Sequence, residues 1–317
     1  MPDPDMSVWT GRVDTADGPK ALRWHQMVKP LAADSPPGIV LIGFACDEGV
    51  RRNGGRVGAK DGPGAIRAAL ANLAWHQERP VYDTGDVHCD DGDMEGAQMR
   101  LADAVERMIR AGHRPLVLGG GHETAWGTFQ GIVAARPDAR VGVINIDAHL
   151  DLRADEPGNS GTPFNQIAKW CAKCGRKFQY LWLGVSASSN TEALFERAKE
   201  YGALGMLDID LFSWRLGGAF GEIGDFLQTV DLLHLSIDLD VLPAATMPAV
   251  SSPAAHGVSL EAVESLVACA LLSRQVVALD LVELNPKFDT DGRGAKVAGR
   301  LAWHIAKDLL FPKEAGS

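Results

Sequence analysis

Short apolar runs alternating with longer helical patterns constrain this chain more than any other feature of its sequence. "GIVLIGFA" (38–45), "PLVLGG" (115–120), "VGVINID" (141–147), "YLWLGV" (180–185), "LLHLSIDLDV" (232–241) and "QVVALDLVEL" (275–284) read as buried strands. Residues 80–84 and 203–208 are weaker candidates. Helical patterns lie between them, over roughly 62–75, 93–112, 124–136, 190–201, 259–272 and 293–310. The clearest begins at Ser259, placed as an N-cap, with Glu261 and Glu264 in the first turns. Strand–helix alternation predicts a mainly parallel sheet with helices on both faces. Ligands of such sheets bind beyond the carboxyl ends of the strands. Residues 1–37 read as an irregular, Pro-rich lead-in. No internal repeat, low-complexity block or long linker divides the 317 residues, so 1–317 is read as one domain.

Four of the expected strand ends carry polar groups. "LVLGGGHETAWG" leaves an apolar strand through three glycines and then places His122. Alone this is a tight strand-to-helix turn with an incidental histidine. A phosphate loop would need a Lys-Ser/Thr or a G-x-G-x-x-G spacing, and both are missing. "INIDAHLDLR" sets Asp147, His149 and Asp151 at every second position, so an extended backbone would send all three to one face. The apolar run Val141–Ile146 before them argues against an exposed edge strand. "HLSIDLDVLP" puts His234, Ser236, Asp238 and Asp240 on one face and Leu235, Ile237, Leu239 and Val241 on the other. His234 by itself reads as a hydrogen-bonded core histidine behind the site. "ALDLVELNP" adds Asp280 and Glu283, either of which could cap a loop.

Taken together, Asp147, Asp151, Asp238 and Asp240 with His122 and His149 supply four carboxylates and two imidazoles at parallel strand ends. Clustered, unpaired carboxylates are very costly, and no lysine or arginine stands at the same positions to neutralise them. Divalent cations would. The set makes a first shell for two ions, with two of the carboxylates bridging. Oxygen-rich ligands with some nitrogen and no thiolate suit Mn2+ better than structural zinc. Two ions about 3.5–4 Å apart can lower the pKa of a water held between them.

Composition excludes several alternatives. A formal net charge of −10 argues against a nucleic-acid or anionic-membrane surface. No apolar run approaches the roughly 20 residues of a membrane helix. The start, "MPDPDMSVWTGRVDTADGPK", is acidic and polar, unlike a signal or transit peptide. Five cysteines, an odd number, fit a reducing cytoplasm. Cys171 and Cys174 form a lone CxxC at what reads as a helix end, without the second pair that a structural zinc would want. Two reduced thiols are the plainer reading, with a redox role as the minor alternative.

The ordered set "GGGHE" (119–123), "DAHLDLR" (147–153) and "SIDLD" (236–240) resembles the arginase/ureohydrolase superfamily, over about residues 38–310. The resemblance implies an arginase-like catalytic domain: a three-layer α/β/α fold with a central, mainly parallel eight-stranded sheet and two Mn2+ per subunit. It implies that His122 and Asp151 bind one ion, His149 and Asp240 the other, while Asp147 and Asp238 bridge. Asp151 would also orient the nucleophile. Glu283 would take the position whose carboxylate meets a planar amidine or guanidine cation, a two-point charge-assisted contact. Superfamily members are often trimers or hexamers, and the sequence shows no interface signature that decides for or against a homo-oligomer.

Within the superfamily, "DEGVRRNGGRVGAKDGPGAIRAALANL" (47–73), "GGGHETAWGTFQG" (119–131), "NSGTPF" (159–164), "PAVSSPAAHGVSL" (248–260) and "ELNPKFDTDGRGAKVAGRLAWHI" (283–305) look like the formimidoylglutamase branch. Ser160 precedes Gly161 where arginases and agmatinases usually carry a histidine, and Leu242-Pro243 replaces their Asp-Pro. That branch implies hydrolysis of N-formimidoyl-L-glutamate to L-glutamate and formamide in histidine degradation. Such a substrate carries two carboxylates. Arg51, Arg52, Asn53, Arg56, Arg153, Asn159 and Ser160 are the candidates to meet them, with loop fixing as the competing role for each arginine. "RRNGGR" is too short, and lacks the aromatics, for a nucleic-acid patch. Another ureohydrolase (agmatinase, guanidinobutyrase or arginase), a one-metal zinc deacetylase of the same fold, and a scaffold relative that has lost its metals are the competing readings.

Overall fold

The structure is a computed structural model and describes residues 4–311. Nine strands form one sheet: β1 (Lys29–Pro30), β2 (Ile39–Ala45), β3 (Val81–His88), β4 (Arg114–Gly119), β5 (Val141–Ile146), β6 (Gln179–Val185), β7 (Leu204–Leu207), β8 (Leu232–Asp238) and β9 (Val276–Val282). Their spatial order is β1-β3-β2-β4-β9-β8-β5-β6-β7, and every pairing is parallel. The α-helices are α1 (Trp24–Met27), α2 (Glu48–Arg52), α3 (Gly62–Ala71), α4 (Met94–Arg110), α5 (Thr124–Ala135), α6 (Pro163–Lys173), α7 (Glu192–Glu200), α8 (Gly217–Leu227), α9 (Leu260–Leu271) and α10 (Arg293–Asp308).

The strands are apolar throughout because both faces of the sheet are covered. Along β2, Ile39 and Leu41 pack into one core while Val40, Ile42 and Phe44 pack into the other. Alternate side chains of a strand point to opposite faces, so one continuous apolar run serves two cores. Burying one such side chain stabilises the fold by about 1.5–3 kcal/mol. The helix starts follow local chemistry. Asp93 accepts from the Gly96 N–H at 2.9 Å to open α4, and Ser259 accepts from the Ala262 N–H at 3.3 Å to open α9.

One expectation needs correction. Among the described residues the sheet has nine strands rather than eight, all of them in parallel pairings. The extra strand is β1, which pairs with β3 through Lys29 and Pro30 inside the lead-in expected to be irregular. Two residues are too few to show alternation, and a proline at a sheet edge gives no strand signal. The lead-in is packed down: Trp24 is fully buried, 6.5 Å from Trp9 and 5.5 Å from Trp75 between ring centres. The Trp9 indole N–H donates to Asp83 Oδ2 at 2.8 Å, the same carboxylate that pairs with buried Arg67. Residues 1–3 of the lead-in and 312–317 at the far end lie outside the described residues. No helix among the described residues is long and apolar enough to cross a membrane.

Candidate metal centre

The four middle strands, β4-β9-β8-β5, end side by side. Each delivers polar groups just past its apolar run: His122 and Glu123 after β4, Glu283 after β9, Asp238 and Asp240 at the end of β8, and Asp147, His149 and Asp151 after β5. The backbone does not stay extended through "INIDAHLD", as the alternation had suggested. β5 stops at Ile146 and the chain bends. Asp147 Oδ1 accepts from the His149 N–H at 2.7 Å, and Asp151 adopts a positive φ of 48°. The end of β8 repeats the device, with Asp238 Oδ1 accepting from the Asp240 N–H at 2.8 Å. In both places an aspartate side chain folds its own backbone two residues on, and that bend gathers the carboxylates.

The six expected ligands converge. His122 Nδ1 lies 3.1 Å from Asp147 Oδ2, 3.0 Å from Asp151 Oδ2 and 3.1 Å from Asp238 Oδ2. His149 Nδ1 lies 2.9 Å from Asp240 Oδ2 and 3.6 Å from Asp147 Oδ1. Two groups of ligand atoms result, His122–Asp147–Asp151 and Asp147–His149–Asp240, each within 4.8 Å. Asp147 has an oxygen in both; Asp238 Oδ2 lies against His122, and its Oδ1, like that of Asp147, accepts the backbone N–H of its own turn.

The electrostatics show what such a cluster lacks. Burial opposes charge on both imidazoles, yet the surrounding carboxylates hold His122 and His149 well above the ordinary histidine range. Burial drives Asp238 well above the usual carboxylate range, with the Asp240 charge adding to it, and raises Asp240 to about 6. Burial also raises Asp147, but hydrogen bonds from His122 and His149 outweigh it and hold Asp147 below that range. Four carboxylates this close cannot all stay ionised on two imidazolium charges. The buried Nδ1 of His122, faced by three carboxylate oxygens at 3.0–3.1 Å, together with an oxygen-rich donor set, fits divalent cations.

Behind the ligands, His122 Nε2 meets Ser236 Oγ at 2.9 Å, and the ring of Phe164 stands edge-on to the imidazole at 5.2 Å. His234 is fully buried and hydrogen-bonds Asp280 Oδ2 at 2.5 Å, the core role expected of it. Glu283 sits at a positive φ of 71°, its N–H on Gly120 O at 2.8 Å. Its Oε1 accepts from the His122 N–H at 2.9 Å, while Oε2 has no partner. Burial, with the nearby Glu123 charge, pushes this carboxyl well above its ordinary range. Positive φ is rare outside glycine, and strain of this kind persists where surrounding structure fixes it. Only four non-glycine residues among those described have it, and two of them are Asp151 and Glu283.

A cavity of about 320 Å³ opens over the cluster. Of the seven residues expected to meet substrate carboxylates, Asn53, Arg56, Arg153 and Ser160 line it; Arg51, Arg52 and Asn159 do not. Arg51 pairs with Glu48, and Arg52 with Glu48, Glu95 and the Gly158 carbonyl. Asn159 braces its own loop through Gly161 and Asp155. Arg56 lines the cavity, yet its guanidinium is committed to the carbonyls of Pro248, Val250 and Ser251 and lies 4.0 Å from the centre of the Phe288 ring. Arg153 is exposed and has no side-chain partner among the described residues. Asn53 Nδ2 donates to Ser160 Oγ at 3.0 Å, where the related guanidine hydrolases were expected to carry a histidine.

Several residues escaped the sequence reading. Glu123 is fully buried, accepts from the Gly49 N–H at 3.0 Å, and is pushed by burial to about 7. Its place directly after His122 in "GGGHE" was the available signal. A side chain at Gly121 would collide with Glu123 and one at Gly120 with the Cys46 carbonyl, which explains the last two glycines of the triplet. Ser189, Asn190, Ser251 and Ser252 also line the cavity. They come from loops distant in sequence; Ser251 and Ser252 fall in "PAVSSPAAHGVSL", quoted above only for its resemblance, and nothing local marks Ser189 or Asn190.

Comparison with known proteins agrees with this geometry. The profile of the Arginase family matches residues 37–307. The formimidoylglutamase of Chromobacterium violaceum is 55% identical over 305 residues, spanning 96% of this chain and 99% of that protein. That of Aeromonas hydrophila is 52% identical over 309 residues, spanning 96% and 98%. Among solved structures, Trypanosoma cruzi formiminoglutamase with Mn2+ superposes with a TM-score of 0.79 at 30% identity, covering 89% of this chain and 97% of that one. Bacillus subtilis arginase superposes with a TM-score of 0.72 at 27% identity, covering 86% and 100%.

Proposed function

The chain belongs to the arginase family, and on that premise we propose that it hydrolyses N-formimidoyl-L-glutamate to L-glutamate and formamide, the formimidoylglutamase step of histidine degradation. The observation that carries the reading is the six-ligand cluster with Glu283 beside it, at the floor of a small polar cavity. Two divalent ions, Mn2+ by the chemistry of the donors, would be held by His122 and Asp151 on one side and His149 and Asp240 on the other, with Asp147 and Asp238 shared. Bound there, such ions supply Lewis-acid activation of water and neutralise developing negative charge.

The protein's own groups do the rest. Glu283 orients the amidinium with Oε2, its Oε1 being anchored on the His122 N–H. Burial favours the neutral form of Glu283, and an arriving cation favours the charged one, so substrate completes the ion pair it needs. Asp151 has one oxygen against His122, and the other is available to take a proton from the attacking water and pass it to the departing glutamate nitrogen. Arg153 meets one substrate carboxylate as a free guanidinium, while the Asn53–Ser160 pair and the Ser251–Ser252 wall offer neutral donors to the other. The chain works as one catalytic domain on a small molecule, in a reducing cytoplasm suited to its five free cysteines.

The test is a substrate panel. The purified full chain with Mn2+ added releases formamide from N-formimidoyl-L-glutamate and no urea from arginine, agmatine or 4-guanidinobutyrate. Urea without formamide would move the chain to another branch of the family.

A further inference from the structure

Every residue of β5 is apolar or glycine except Asn145, which is fully buried. An amide inside a buried strand costs stability unless its groups are paired, and half of this one is not. Asn145 Oδ1 has no partner among the described residues. The other half is fully used: Nδ2 donates to Asp147 Oδ2 at 3.0 Å and to the Tyr180 hydroxyl at 3.1 Å. Tyr180 decides which way the amide faces. Its one proton goes to the Leu150 carbonyl at 2.9 Å, and a carbonyl can only accept. The phenol oxygen can then face Asn145 only as an acceptor, so the amide turns its N–H groups that way and leaves Oδ1 stranded. The phenol is itself held in place, its buried ring stacked on Phe164 at 4.7 Å and on Phe178 at 5.3 Å. The proposed reaction uses neither Asn145 nor Tyr180.

We propose that Asn145, oriented by Tyr180, is a positioning residue that holds the Asp147 carboxylate so that its two oxygens face the two metal positions. This rests on the reading of Asp147 as a ligand shared by both ions. Asp147 Oδ1 is tied to the His149 N–H and lies on the His149 side. Oδ2 is tied to Asn145 and lies 3.1 Å from His122 Nδ1. With one tie alone the carboxylate could rotate away from one ion. Asp238 closes the same kind of turn through Oδ1, yet no amide or hydroxyl donates to its Oδ2 among the described residues. Tyr180 adds a second hold on the same bend, since Leu150, whose carbonyl it grips, lies between His149 and Asp151. Partners that orient a metal ligand in this way are worth roughly 10- to 100-fold in metal affinity. Asp147 belongs to both groups of ligand atoms, so the loss of its partner falls on both ions.

The experiment is a calorimetric titration of Mn2+ into the chelator-stripped full chain, with the Tm of the stripped chain measured beside it. Asn145→Leu keeps the size of the side chain and removes its N–H groups. Both Mn2+ binding steps weaken by roughly 10- to 100-fold. Tyr180→Phe keeps the ring stack, frees the amide to turn, and weakens both steps in the same direction. Unchanged Mn2+ affinity in Asn145→Leu, whatever the Tm, would make the amide a packing group and overturn the proposal, as would weakening of one step alone. Unchanged affinity in Tyr180→Phe would overturn the orienting role of the phenol. If Asn145→Leu does not fold, Asn145→Ala is put through the same titration. A wild-type chain that takes up no Mn2+ would instead overturn the reading of the metal centre, which is a separate outcome.

Discussion

Residue chemistry at this site was legible to the extent that a side chain announces its use by type and position. The six residues that converge at the strand ends were visible because carboxylates and imidazoles at the end of buried apolar runs have no structural reason to be there. The arginines were not, because a guanidinium that braces a loop and one that awaits a substrate look identical in sequence. The structure separates them by their partners: Arg51, Arg52 and Arg56 are committed, and Arg153 is not. Replacing Arg153 by Gln should raise KM for N-formimidoyl-L-glutamate roughly 10- to 100-fold with little change in kcat, the loss of about 1.5–3 kcal/mol from one charge-assisted contact. Steady-state kinetics check this, and an unchanged KM would return the carboxylate to another partner. Glu283→Gln keeps the hydrogen bond to the His122 N–H but removes the negative charge facing the amidinium. Turnover should fall by about the same factor or more while both ions still bind, as measured by metal analysis of the purified variant. Lost metal would make Glu283 a ligand.

At the scale of elements, long periodic patterns carried through and short or context-made ones did not. The six helical patterns became α3, α4, α5, α7, α9 and α10 with ends shifted by a few residues. α8 (Gly217–Leu227) was missed, since its four glycines and exposed Phe220 blur the periodicity that a helix needs. The weak candidate at 80–84 proved to be the eight-residue strand β3, whose Asp83 is buried because it finds Arg67. The loops at the mouth are positioned by one another. Arg56 fastens 248–251 through three carbonyls, and Asn285 Nδ2 holds the Arg56 carbonyl at 2.7 Å. A lysine cannot present that fork or stack on Phe288. Arg56→Lys should therefore behave like Arg56→Gln: faster hydrogen exchange at 248–252 and a higher KM, with metal content intact. Full activity in the lysine variant would mean that only charge matters at this position.

The whole molecule decides how the cluster behaves with and without its ions. In the metal-free fold, burial raises Asp240 to about 6 and Glu123 to about 7, and the carboxylates raise His122 and His149 above their ordinary range. At every one of these sites the folded chain holds protons more tightly than the unfolded chain does. The contribution of these four sites to the stability of the stripped protein is thus fullest below their ordinary pKa values and is lost as pH rises through the folded ones, while Asp147, held below its ordinary range, contributes in the opposite sense. Ions that replace those protons remove the loss. The gap in Tm between Mn2+-loaded and stripped protein should widen from pH 5 to pH 8, the remainder of the molecule cancelling in the difference. A gap that narrows with pH would contradict this proton occupancy. The sequence by itself determined that there would be a buried parallel sheet and which six carboxylate and imidazole side chains would stand at its strand ends, because apolar periodicity and stranded carboxylates are local properties. Only the tertiary structure decided that β4, β9, β8 and β5 lie adjacent, that a ninth strand closes one edge, that the aspartates fold their own turns, and which arginine is left uncommitted. Those outcomes depend on strand order and on partners distant in the chain, and each is fixed only when the alternatives compete in three dimensions.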